Sequence, residues 1–210
     1  MKNNPLVAFL RTYGPTPSSD TMYDEHVIQA SERHGVEPIT EVPPRLSEIV
    51  ENFTSSNPHT MILTGTAGDG KTYHCRLAYQ QLGGNANAYA LSGKMVSLPL
   101  PNCGKHLHII KDLSDMRELE KEQELKHIAA ALLEKNTNRI YLIAANDGQL
   151  LKFWRDFSNR HPSYQQVEST FRGMLKDELE TDPQEHLNLR LINLSRQPHH
   201  QLFNQLLDKI

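Results

Sequence analysis

The sequence predicts an α/β protein organised around a parallel sheet, and three observations carry that expectation. The run "HTMILT" (59–64) leads into "GTAGDGKT" (65–72) and then into "YHCRLAYQQLGG" (73–84), so a short apolar strand, a glycine-rich loop and a helix follow one another. The stretch "RIYLIAANDG" (139–148) is unbroken apolar from Ile140 to Ala145, as in a strand covered on both faces, and stops abruptly at Asn146. Strand-like segments near 60–65, 87–91, 106–112, 139–145 and 187–194 alternate with helical ones along the chain.

The elements follow in order. "PLVAFLRTYG" reads as a short helix and "GPTPSSD" as a loop. "DTMYDEHVIQASERHG" reads as a helix with Asp20 as its N-cap and Gly35 as its stop. "VEPITEVPPRLSEIVENF" is an extended linker and then a helix leading into the first strand. The segment after the glycine loop is helical until Gly83-Gly84 ends it. Over 116–135, Leu125, Ile128, Ala129, Leu132 and Leu133 recur at helical spacing, while Glu122 and Lys126 pair on the wet face. "LNLRLINLS" is the last strand, and the chain runs out in a helix-like "HHQLFNQLLDKI". The expected division is a helical extension over 1–40 and a core over 41–210.

Composition narrows the class. The 210 residues are 38% apolar and 22% charged, which suits a globular protein. A net charge of -3 gives no global basic field of the kind that attracts nucleic acid, although a local patch is compatible with it. The two cysteines, Cys75 and Cys103, form no metal spacing and fit a reducing compartment. The N-terminal apolar run is closed by Arg11, too early for a signal peptide. No stretch approaches the roughly 20 apolar residues of a membrane span. A cytoplasmic protein without a membrane partner is expected. The eleven histidines show no metal-ligand spacing. Trp154 is expected to pack a helix on the sheet rather than to stack on a base.

Residues 65–72 fit G-x-x-x-x-G-K-S/T at every fixed position. Glycines let successive N–H groups turn into one concavity, and the helix that follows sets its positive end on the same spot. The candidate phosphate cradle is Gly65, Thr66, Ala67, Gly68, Asp69, Gly70, Lys71, Thr72 and Tyr73, with Lys71 directed at the β- and γ-phosphates and the Thr72 hydroxyl at Mg²⁺. Such a site needs a carboxylate from a neighbouring strand. "HLHIIKDLSDM" (106–116) supplies Asp112 as the Mg²⁺ carboxylate, although His106, His108 and Lys111 make the run unusually polar. Asp115 has two readings, a catalytic acid or a cap for the next helix in a capping box with Glu118. Asn146 also has two, a group that senses the γ-phosphate or orients water, and a turn residue of Asn-Asp-Gly.

Together "GTAGDGKT", "HLHIIKDLSD" and "RIYLIAANDG" resemble the Walker A, Walker B and sensor segments of P-loop ATPases of the AAA+ (ASCE) type, over about residues 40 to 210. The resemblance implies a P-loop three-layer sandwich with a five-stranded parallel sheet in order 5-1-4-3-2, and ATP with Mg²⁺ at its carboxyl edge. It implies an adenine grip near Val36 to Val42, assembly into a homo-oligomer or with a partner protein, and a helical lid that is either absent or truncated in this chain. Arg155, Arg160, Arg172 and Arg196 are candidates to reach a neighbour's nucleotide. Many ATPases of this class place Glu directly after the metal Asp; here Leu113 stands there, which points to slow hydrolysis. "YGPTPSSDTMYDEHV" before such a core is similar to ATPases of anti-phage defence, such as the phosphorothioation-dependent restriction ATPase, and adds DNA as a candidate partner. Two other readings stay open: a nucleotide-binding signalling module that does not hydrolyse, and a small-molecule kinase.

Overall fold

The computed structural model describes residues 4–11, 23–36, 42–116, 118–133, 137–176 and 187–196. The chain divides into two units, one of residues 1–43 with 198–210 and the other of residues 44–197. In the first unit, α1 (Pro5–Leu10) and α2 (Tyr23–His34) pack together with Phe9 and Ala30 buried. Asn4 caps α1 by accepting the Leu6 N–H at 2.9 Å. Gly35 follows the end of α2 with a positive φ of 60°, while the expected cap Asp20 lies outside the described residues.

The second unit holds α3 (Leu46–Thr54), β1 (Thr60–Thr64), α4 (Lys71–Gln81), α5 (Ala86–Leu91), β2 (Met95–Leu100), β3 (Lys105–Ile110), α6 (Glu118–Leu132), β4 (Arg139–Ala144), α7 (Asp147–Arg160), α8 (Gln165–Lys176) and β5 (Leu189–Asn193). The five strands form one sheet in the order β2-β3-β4-β1-β5, which is 5-1-4-3-2 read from the β5 edge. β1 pairs in parallel with β4 and β5, and β3 in parallel with β4. Strand alternation sends Ile62, Ile110, Tyr141, Ile143 and Leu191 into a core with α6, α7 and α8. Met61, Leu63, Ile109, Leu142 and Ile192 enter a second core with α3, α4 and α5. Helices therefore cover both faces, as parallel strands require.

Two expectations are corrected. Residues 87–91 do not form a strand: "ANAYAL" is α5, capped by Asn85, which accepts the Ala88 N–H at 3.1 Å. Alanine-rich sequence with a good N-cap favours helix, and apolar residues in so short a run do not distinguish the two. The second strand is instead "MVSLPL", and it runs antiparallel to β3, so the sheet is not wholly parallel. Only residues 101–104 separate the two strands, too few for a crossover, so they close as a hairpin. Pro99 is tolerated because β2 is an edge strand and Pro99 is exposed between buried Leu98 and Leu100.

The other boundaries lie close to those expected: α6 over 118–132 against 116–135, and β5 over 189–193 against 187–194. Asn-Asp-Gly is not a free turn. Asn146 is the N-cap of α7, and Asp147 and Gly148 begin the helix. Among the described residues no helix is long and apolar enough to cross a membrane.

Trp154 is 1% exposed, stacked on Phe171 at 5.3 Å and edge-on to Phe157 at 5.7 Å. It packs α7 and α8 over the sheet, as expected. Trp154→Ala should destabilise the protein by about 3–5 kcal/mol, and Trp154→Phe by less, because the first leaves a large cavity under both helices. Urea midpoints at constant m value measure this; equal, small losses would mean that the α7–α8 layer is not cooperative with the sheet.

Candidate phosphate-binding site

β1 ends at Thr64, and the chain turns at Gly65 into the loop that starts α4 at Lys71. Gly70 is the N-cap of α4 with φ 79°, a left-handed conformation that glycine adopts without cost. Gly65 has φ 139°, and a Cβ there would lie 2.5 Å from Asp69 Oδ2 and 3.1 Å from Ser195 Oγ. Any side chain there would have to displace the Asp69 carboxylate and would sit in a strained backbone conformation.

The loop is tied internally. Lys71 Nζ folds back and donates to Gly65 O at 3.1 Å and Thr66 O at 2.6 Å. Asp69 Oδ2 accepts from Thr66 N at 2.5 Å, from Thr66 Oγ1 at 3.0 Å and from Ser195 Oγ at 2.5 Å. Burial alone would raise the Asp69 carboxyl, but the Ser195 hydroxyl, the Thr66 N–H and hydroxyl and the Lys71 charge outweigh it, holding the group below its usual range. Burial pushes the Lys71 amine down, against the opposing pull of Asp69, Asp112 and Asp147. Among the described residues the N–H groups of Gly68, Gly70, Lys71 and Thr72 donate to no protein acceptor. These four donors, at a loop and helix N-terminus, suit an anion. Tyr73 continues the first turn of α4 and lies beside the Arg76 guanidinium, while Ala67 is exposed at the loop tip.

β3 delivers Asp112 to the same place. The Thr72 hydroxyl donates to Lys111 O at 3.4 Å, one residue before Asp112. Ser114 donates to Asp112 Oδ1 twice, from its N–H at 2.8 Å and its hydroxyl at 2.5 Å. Both donors use Oδ1, which leaves Oδ2 of Asp112 open among the described residues. Leu113 is 1% exposed in the core, so the position after Asp112 does not face the loop. Asp115 closes a 3-10 turn over Leu113–Asp115, and its side chain lies outside the described residues.

β4 and β5 add residues that sequence reading did not select. Gly65 donates its N–H to Asp147 Oδ1 at 3.1 Å, and Asn193 Nδ2 donates to Asp147 Oδ2 at 3.4 Å. Ser195 donates its N–H to Asn193 Oδ1 at 3.0 Å and accepts the Thr66 N–H at 3.0 Å on its hydroxyl. Asn146 makes no side-chain cap bond. The signal that singled out Asn146, a polar residue just past an apolar strand, also marks Asn193 and Ser195 in "LINLS". Residues 37–41 of the expected adenine grip lie outside the described residues.

The donor set fits a phosphate-bound hard cation rather than a protein-caged metal. Among the described residues no group of three or more His, Cys, Asp or Glu side chains is arranged to hold a metal. One hydroxyl and one carboxylate, Thr72 and Asp112, are what a Mg²⁺ that keeps waters and takes phosphate oxygens needs from protein. No protein-family model matches the sequence, and neither does any curated protein.

Gly65→Ala should cost about 1–3 kcal/mol through backbone strain, and its Cβ should push Asp69 and Ser195 out of contact. Ala67→Ser, on the exposed tip of the same loop, should stay within about 0.5 kcal/mol. Chemical denaturation of the two variants compares them, and equal stabilities would contradict the crowding at Gly65.

Proposed function

We propose that the chain is a P-loop ATPase core that binds Mg-ATP at residues 65–72 and hydrolyses it slowly until assembly completes the site. The observation that carries this reading is the set of four amides without protein acceptors, with Lys71 beside them and Thr72 next to Asp112. Lys71 would leave Gly65 O and Thr66 O for the β- and γ-phosphates, and the free amides would take phosphate oxygens. Thr72 and Asp112 would hold Mg²⁺, which when bound neutralises charge on the phosphates. Asn146, at the strand exit beside the loop, would act in turnover more than in binding. The AAA+ resemblance supports assembly with copies of the chain or a partner, and DNA or a defence component as what it acts on.

A second reading has an observation in its favour. Leu113 is buried where many ATPases of this class carry the acid that activates water. A module that binds nucleotide and signals without hydrolysis would have no use for that acid.

Calorimetry with Mg-ATP tests the common part. Lys71→Ala should weaken binding by at least about tenfold, roughly 1.4 kcal/mol. Unchanged affinity in a folded variant would sink the phosphate-loop assignment. Turnover separates the two readings: the ATPase reading expects a rate per chain that rises with protein concentration or on adding DNA. An arginine supplied by a neighbour is worth ~10³–10⁵ in rate. A rate that stays at background under all these conditions favours the signalling module, and fast hydrolysis at nanomolar protein would defeat the assembly model.

A further inference from the structure

Lys111, the first residue after β3, is 1% exposed although it carries an amine. A buried lysine is costly unless its donors are satisfied. Its Nζ donates to Tyr89 O at 2.6 Å, among the last carbonyls of α5, and lies 4.2 Å from the centre of the Tyr89 ring. The Ser92 hydroxyl donates to the same carbonyl at 2.8 Å. The Tyr89 hydroxyl in turn donates to Thr72 O at 3.4 Å. The Thr72 hydroxyl returns to Lys111 O at 3.4 Å. Thr72, Lys111 and Tyr89 therefore form a closed circuit that links the first turn of α4, the end of β3 and α5.

We propose that Lys111 and Tyr89 are positioning residues for the metal, fixing the Thr72 hydroxyl beside Asp112 through this circuit. The inference rests on the nucleotide-site reading above. Its chemistry is simple. A hydroxyl that donates its hydrogen to Lys111 O keeps its lone pairs free for a cation. Tyr89 holds the other end of Thr72 through its carbonyl, so rotation of the residue is limited at both ends. Lys111 holds Tyr89, and its own backbone N–H is anchored to Lys94 O at 3.0 Å. An apolar residue at 111 would suit the buried position just past β3 but would remove the Lys111 hold on Tyr89 O. Outer partners of metal ligands act in this way, and their loss costs about 10–100-fold in metal affinity.

The test uses the full 210-residue chain. ATP affinity is measured by calorimetry in EDTA and in saturating Mg²⁺, and the ratio of the two dissociation constants gives the gain due to metal. Lys111→Met keeps bulk and removes the donor; Tyr89→Phe keeps the ring and removes only the hydroxyl. Both should retain wild-type affinity in EDTA within about twofold. The gain from Mg²⁺ should fall about tenfold in Lys111→Met and less in Tyr89→Phe. A merely structural role would instead weaken both conditions equally, and that result, or an unchanged gain in both variants, overturns the proposal. If Lys111→Met does not fold, Tyr89→Phe decides alone by the same criterion. Wild-type protein that binds no ATP in either condition refutes the nucleotide site itself and this inference with it. Wild-type binding with normal variants refutes the inference only.

Discussion

The site depends on the absence of a side chain at residue 65. With a hydrogen there, Asp69 and Ser195 close over the backbone, and a Cβ would stand 2.5 Å from the Asp69 carboxylate. That close approach lets Ser195, past the end of β5, bond directly to the loop that follows β1. The Gly65 N–H is also taken by Asp147 at the start of α7, and Asp147 is in turn held by Asn193. Three strand exits thus converge on one glycine. The parallel order makes this convergence possible, since β1 lies between β4 and β5 and all three point the same way.

Around that point the electrostatics are balanced rather than simply positive. Lys71 has Asp69, Asp112 and Asp147 as neighbours, and burial still pulls its amine below the ordinary lysine value. One cation among three carboxylates would, by itself, attract a bare triphosphate only weakly. The amides of the loop and the α4 terminus supply some of the missing positive potential, and a divalent cation would supply the rest. On the nucleotide-site reading, affinity should accordingly be tied more tightly to metal here than in a site whose loop carries no acid. Asp69 adds a competing element: it occupies the Thr66 amide and the Ser195 hydroxyl in the same oxygen.

The sequence made the loop and the four parallel strands legible because each rests on a local rule. Glycines at fixed spacing, a strand before them and a helix after them need no tertiary information. Continuous apolar runs reveal β1 and β4, and Asp112 and Asn146 stand out as polar residues ending such runs. What was not legible depends on contact between distant segments. Residues 86–91 look apolar in either state, and only Asn85 as cap and the Ala content favour helix. β2 was hidden by Pro99, whose acceptability depends on its being at the sheet edge. Asn193 and Ser195 carry the same local mark as Asn146, but they and Asp147 gain their roles from the packing of β4 and β5 on either side of β1, which no local pattern announces. The polar end of β4 pointed to Asn146, yet the carboxylate of the next residue, Asp147, is the group that reaches Gly65.

The end of β3 shows how far a departure from pattern can be informative. Lys111 reads as a flaw in a buried strand, and Leu113 as the loss of an acid. In three dimensions both point inward. Lys111 reaches the carbonyl of Tyr89, and Leu113 joins the core with α6 and α7. Asp112 between them is left facing the loop, braced by Ser114 on one oxygen. This strand exit is therefore built to hold one carboxylate still, with no second acid directly after it. Rigid metal placement favours binding and orientation, whereas activation of water needs a base near the γ-phosphate. On the ATPase reading proposed above, a chain that spends its buried polar contacts on the first and leaves the second to another segment or another molecule would separate nucleotide capture from turnover. Such a separation would let a partner control the rate without altering the affinity.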